Sequence, residues 1–296
     1  MMRQPKENYR FQRLSGQSGF TLLELVIAMV IGGLVMAGIV ATYVVQQRNY
    51  RMQTLVMNTQ QNLRGAFYRL QNELMMIGYD RSDSARFGLV NIADINDNSS
   101  ITFTGDFGPT GGADNGTIDA GETISFFLYN SPDTPGNGVF DLARRVDGGA
   151  ATLLAEGIEA MVFAYAFDDN PRDGRIDFVN IGGVDDDFGF PIKDKDEHFI
   201  WAIDTDADNV LDTTLDTNQD GLIDGSDAAG GAPLPSNVEM DRVRGIKIWL
   251  LARTRSTVLG SEKPQTFRLG HRLITRDDAF KRRVLTATII FRNLGT

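Results

Sequence analysis

The residues most able to do chemistry lie late in the chain. Asp216, Asn218, Asp220, Asp224 and Asp227 fall at positions 1, 3, 5, 9 and 12 of a twelve-residue stretch. Gly221 sits at position 6 and Leu222 at position 7. Spacing by two aims oxygen ligands at one centre as a loop curls. Glycine allows the sharp turn, and a backbone carbonyl at position 7 completes an oxygen cage for a hard cation. The pattern predicts a Ca2+ loop of the EF-hand or dockerin type. An aspartate stands at position 12 where a glutamate is usual, and no amphipathic helix precedes the loop. Ile223 at position 8 is expected to tuck inward.

Just upstream, Asp204, Asp206, Asp208 and Asp212 repeat positions 1, 3, 5 and 9. Asn209 stands at position 6 and tolerates a left-handed turn, while Leu215 at position 12 is no ligand. This is the weaker candidate. Without a cation, so many carboxylates, with Asp196 nearby, repel: two unit charges about 4 Å apart cost about 1 kcal/mol in water and more near a protein surface. Asn115–Glu122 and Asp173–Asp177 hold only half of the pattern and read first as turns.

Other chemistries fare worse. The 296 residues include no cysteine and two histidines, His198 and His271. That excludes disulfides, thiol catalysis and cysteine-bound metal, and it disfavours a histidine relay. No nucleophile elbow or phosphate loop is present, so the chain is not expected to be an enzyme. The formal charge of −10 argues against a nucleic-acid binder. The charge is unevenly spread: 33 of 39 acids lie in residues 80–241, whereas residues 242–296 hold 13 basic and 3 acidic residues. Lys281, Arg282 and Arg283 are expected to neutralise the molecule's own acidic block or a neighbouring subunit.

The elements that position these loops begin at the N-terminus. Residues 25–45 carry no charge, and as a helix they span about 31 Å, enough for a bilayer core. The basic flank before them predicts a cytoplasmic N-terminus. Beyond, Met52, Val56, Thr59, Leu63, Ala66, Phe67, Leu70, Leu74 and Ile77 form one apolar stripe, and Gly78 is a plausible stop. One helix over about 20–77 is predicted. After it, β-like runs alternate with Gly/Asp clusters, at 99–104, 123–130, 139–146, 158–167, 245–252, 266–271 and 285–293. In 245–252 and 285–293 one face is expected to be buried against the helix. The fold class is α+β: a long N-terminal helix packed on a mainly antiparallel sheet with long Asp/Gly-rich loops.

The run from Gly19 and Phe20 through Thr21, Leu22, Leu23 and Glu24 into the apolar stretch resembles the processing site of type IV prepilins and pseudopilins. That resemblance implies a leader at 1–19, an assembly and membrane helix at 20–77, and a globular domain at 78–296 with its calcium region at 204–227. It implies cleavage after Gly19 by prepilin peptidase and N-methylation of Phe20. It also implies a role for Glu24 in pairing with the N-terminal amine of a neighbouring subunit. A buried carboxylate beside a buried ammonium is tolerable where either alone is not.

Gly245–Thr254, Asp278–Thr288 and Phe291–Gly295 are similar to the C-terminal segments of PilW-like minor pilins. This implies a subunit that helps initiate a type IV pilus near its tip. Its partners would be other minor and major pilins, the inner-membrane assembly platform and a tip adhesin. The domain would be periplasmic before assembly and at the cell surface after it. A type II secretion minor pseudopilin and a calcium-dependent adhesive module on a pilin stalk are the alternatives.

Overall fold

The computed structural model describes residues 19–80, 82, 84, 86–95, 98–106, 115–131, 140–169, 172, 176–177, 199–218, 220, 222–258 and 263–294. The leader up to residue 18, Asp173, Gly174, Asp196, His198 and Gly221 lie outside them. The chain divides into two compact units, residues 1–51 and 52–296.

The helix α1 spans Leu22–Leu74. It begins two residues later and ends three earlier than the stripe predicts, and Met75–Gly78 form a turn beyond it. Thr21 and Glu24 set the start through a capping box. The Glu24 carboxylate accepts the Thr21 N–H and hydroxyl, both at 2.9 Å, and the Glu24 N–H donates to Thr21 Oγ1 at 3.2 Å. In the first unit the helix is exposed and its residues 25–45 are uncharged, and it is long and apolar enough to cross a membrane. In the second unit its stripe is buried at Thr59, Leu63, Ala66, Leu70 and Leu74. Gly78 ends the turn at φ +68, and a Cβ there would run into the Leu294 side chain. Asn293 Nδ2 donates to the Met75 and Ile77 carbonyls at 3.2 and 3.3 Å, supplying donors for carbonyls that the helix end leaves open.

Thirteen strands follow among the described residues: β1 (Leu89–Ile95), β2 (Asn98–Thr104), β3 (Thr123–Tyr129), β4 (Asp141–Val146), β5 (Thr152–Ala155), β6 (Ile158–Phe167), β7 (Ala202–Ile203), β8 (Val210–Thr214), β9 (Ala232–Glu239), β10 (Val243–Arg253), β11 (Gln265–Leu269), β12 (Arg272–Arg276) and β13 (Arg282–Ile290). Eleven form one sheet, and β11 and β12 form a separate hairpin. The long strand β6 is the hub. It pairs antiparallel with β10 along one edge. Its other edge meets β2 at Met161 and β7 at Tyr165. From β2 the sheet runs to β3, β4 and β5, and from β7 to β8 and β9. β10 continues to β13.

The sheet alternates as a period of two requires. Met161, Phe163, Tyr165, Ile246, Ile248 and Leu250 enter one core with the α1 stripe, Phe103 and Phe126. Full burial of a leucine such as Leu70 or Leu74 contributes about 1.5–3 kcal/mol. The expectation that β10 buries a single face needs correction. Val162, Ala164, Trp249 and Leu251 form a second core with Phe199, Trp201, Leu269 and Ile274. The β11–β12 hairpin and the segment around Trp201 supply this cover. Gly270, at the hairpin turn, lies against the Trp249 ring.

Charge closes the gap between hairpin and sheet. Glu159 of β6 pairs with Arg276 at 2.6 Å and with Arg282 at 2.5 Å. Arg282, whose side chain is fully buried, also grips Asp278 with both terminal nitrogens at 2.6 Å. These hydrogen bonds hold the Asp278 carboxyl below its ordinary range. Of the basic C-terminal run, Arg282 thus neutralises one member of the acidic block, Glu159.

Candidate functional site

The first aspartate loop links β7 to β8. Carboxylate oxygens of Asp204, Asp206 and Asp208 lie within 4.8 Å of one another. Asp204 is buried and takes N–H groups from Asp206, Ala207 and Asn209 at 3.2, 2.7 and 2.8 Å. Burial nevertheless pushes its carboxyl above the ordinary value, and the charge of Asp208 adds to the rise. A cation would offset that cost.

Asn209 has the left-handed backbone anticipated for position 6, at φ +69. Its side-chain oxygen accepts from Asn91 Nδ2 and the Ile92 N–H, both at 3.0 Å, and so fastens the loop to β1. Asp212 lies on β8, where one carboxylate oxygen accepts from the Thr205 N–H and hydroxyl. Its other oxygen is buried without a hydrogen-bond partner among the described residues. Leu215, already discounted as a ligand, is buried in the second core.

The second loop lies between β8 and β9. Asp227 is buried and clasps both of its ends. One oxygen takes the Thr217 N–H at 2.8 Å, and the other takes the Asp224 N–H at 2.7 Å. Asp216 Oδ1 and Asn218 Oδ1 both accept the Asp220 N–H, at 3.2 and 3.1 Å. Asp220 Oδ1 accepts the Leu222 N–H at 2.9 Å. Asp224 turns to Ser226, whose hydroxyl and N–H hold its carboxyl below the ordinary range. Ile223 packs inward against the second core, as its position predicts. Among the described residues, the tight carboxylate group forms in the first loop and not in this one. The half-pattern at Asn115–Glu122 is a self-satisfied turn, with Asn115 bonded to Thr117 and Asp119, and Asp119 to Glu122.

The helix start is the other candidate. Gly19, Phe20 and Glu24 are exposed. The capping contacts use only Oε2 of Glu24. The T-x-x-E spacing that makes this cap is visible in the sequence and gives Glu24 a local role at the helix start. His271 lies in the β11–β12 turn and accepts from Arg272 Nε at 3.1 Å.

A processing-type sequence opening a long apolar helix, followed by an antiparallel sheet domain, defines a type IV pilin-like protein. Residues 14–40 match the description "Prokaryotic N-terminal methylation motif". Residues 141–293, just over half of the chain, match "Type IV Pilus-assembly protein W". The chain belongs to this PilW family, whose members are structural proteins and not enzymes. No curated protein matches it. Among solved structures it is similar to a type IV-like pilin from Thermus thermophilus, with a TM-score of 0.40 and 14% identity over 80% of this chain and 98% of that one.

Proposed function

We propose that the protein is a minor pilin that helps to initiate a type IV pilus and sits near its tip. In this reading prepilin peptidase cuts after Gly19 and Phe20 is N-methylated. The mature chain waits in the inner membrane with its domain in the periplasm. It then joins other minor and major pilins on the assembly platform and leaves for the cell surface, where a tip adhesin is a further partner. The observation that carries this is the presence in one chain of the methylation motif at 14–40 and the PilW region at 141–293. Glu24 supplies the charge that pairs with a neighbour's N-terminal amine. Ca2+, held by Asp204, Asp206, Asp208 and Asp212 and by Asp216, Asn218, Asp220, the Leu222 carbonyl, Asp224 and Asp227, orders the loops of a domain that has no disulfide.

Two substitutions at one position test the assembly role. Glu24→Gln keeps a side-chain acceptor for the Thr21 cap and removes the charge, whereas Glu24→Ala removes both. Both variants should be cleaved yet be depleted from sheared pilus fractions. Normal incorporation of both would count against the charge pairing.

A further inference from the structure

Among the described residues, four strands of the large sheet pair along one side alone: β1, β5, β9 and β13. An unpaired edge invites another strand, and proteins usually blunt it. β5 has four residues. β9 contains Pro233 and Pro235. β1 has an irregular register, and Asn209 occupies its Ile92 N–H. β13 has none of these guards. It runs nine residues without a register break, and from Val284 to Ile290 it contains no charge, proline or glycine.

The phase of its backbone follows from two hydrogen bonds. The Phe291 N–H donates to the Arg244 carbonyl and the Thr254 N–H to the Lys281 carbonyl, both at 2.8 Å. In an antiparallel ladder the bonded pairs alternate. Odd-numbered residues of β13 therefore face β10. The N–H and C=O groups of Val284, Thr286, Thr288 and Ile290 point away from it, and no strand takes them among the described residues. Val284 and Ile290 are 37% and 38% exposed.

We propose that β13 is a docking edge for an extended segment of another polypeptide, apolar and β-branched in its middle and acidic at its ends. The acidic ends follow from charge. Arg283 and Arg292 are exposed at the two ends of the uncharged run, and neither pairs with a carboxylate among the described residues. A second copy of this chain is the poorer occupant. An antiparallel pairing of Val284 with Ile290 and Thr286 with Thr288 brings the arginines at the start of one strand beside Arg292 of the other. The proposal rests on the sheet edge and stands apart from the pilus reading.

The full chain in mild detergent is probed with a synthetic ten-residue strand, six alternating valines and threonines between two aspartates at each end. A second peptide carries lysines in place of the aspartates. The readout is amide hydrogen exchange along β13. In the free chain, amides 284, 286, 288 and 290 should exchange at least about tenfold faster than 285, 287 and 289. The acidic-ended peptide should slow the even set about tenfold, and the lysine-ended one should not. Thr286→Pro removes an outward N–H that the ladder does not use. It should abolish the effect and leave the odd amides protected. Thr286→Lys, which keeps the backbone donor, should weaken the acidic peptide's binding less than the proline does. Four results would overturn the proposal: even amides already protected in the free monomer, protection that rises with chain concentration, equal slowing by both peptides, or slowing by neither.

Discussion

Glu159→Ala opens the ion cluster under the hairpin at its centre. The side chain is 12% exposed and bonds two arginines, at 2.5 and 2.6 Å. Its loss leaves Arg282, which is fully buried, with Asp278 as its remaining carboxylate. Removing one partner of a buried ion pair costs about 3–5 kcal/mol. The two-pronged grip of Asp278 survives, so the lower end applies, about 3 kcal/mol. For a unit of this size, each kcal/mol moves Tm by about 2–4 °C, which predicts a fall of about 6–12 °C. Arg276→Ala is the control. That side chain is 35% exposed, and an exposed pair is worth about 0–1 kcal/mol. Glu159→Gln keeps an acceptor and should fall between the two. Thermal melts of the full chain, followed by near-ultraviolet circular dichroism of Trp201 and Trp249, read the second core directly. If Glu159→Ala loses no more than Arg276→Ala, the cluster does not stabilise the hairpin and the reasoning fails.

Calcium at 5 mM, with affinities of about 10⁻⁴–10⁻³ M, should stabilise the chain by about 1–2 kcal/mol per site, and chelator should reverse it. Asp204→Asn and Asp216→Asn should each remove part of the shift, and a wild-type melt unmoved by calcium, with no heat on titration, would refute both loops. Gly78→Ala combines a left-handed backbone with a collision against Leu294, so it should destabilise by more than about 1 kcal/mol in denaturant titration. Asp278 is depressed in the folded state. Its contribution is present above the unfolded carboxyl value of about 3.9 and is lost as pH falls through the lower folded value. Asp278→Asn should therefore flatten the stability profile below about pH 4, and an unchanged profile would remove Asp278 from the acid response.

The helix was legible because one apolar stripe and one stop glycine sit on contiguous residues. Leu63, Ala66, Leu70, Leu74 and Gly78 behave as their spacing implies. β6 was legible to its ends, 158–167, as an apolar run bounded by glycine and aspartates. β8 was hidden because Val210 and Asp212 had been counted into a calcium loop, although the chain leaves that loop as a strand. β9 was masked by its two prolines, which an edge strand tolerates. The second face of β10 was missed for a different reason. Its cover, the β11–β12 hairpin, arrives through contacts distant in sequence, and a local period of two cannot reveal them. Asn209 is the same lesson at the site. Its left-handed turn was readable locally, but its bond to β1 joins residues 117 positions apart.

The bonds from Asn293 to the Met75 and Ile77 carbonyls have a consequence for the order of folding. The helix end is made well before the donor that completes it, which lies 216 residues further along the chain. The hub strand β6 likewise waits for β10, and β10 for β13. Non-local closure of this kind places the domain among slow folders. Until β10 and β13 are in place, the strands from β1 to β9 lack the neighbours that complete the sheet, so partly folded forms expose unpaired strand edges.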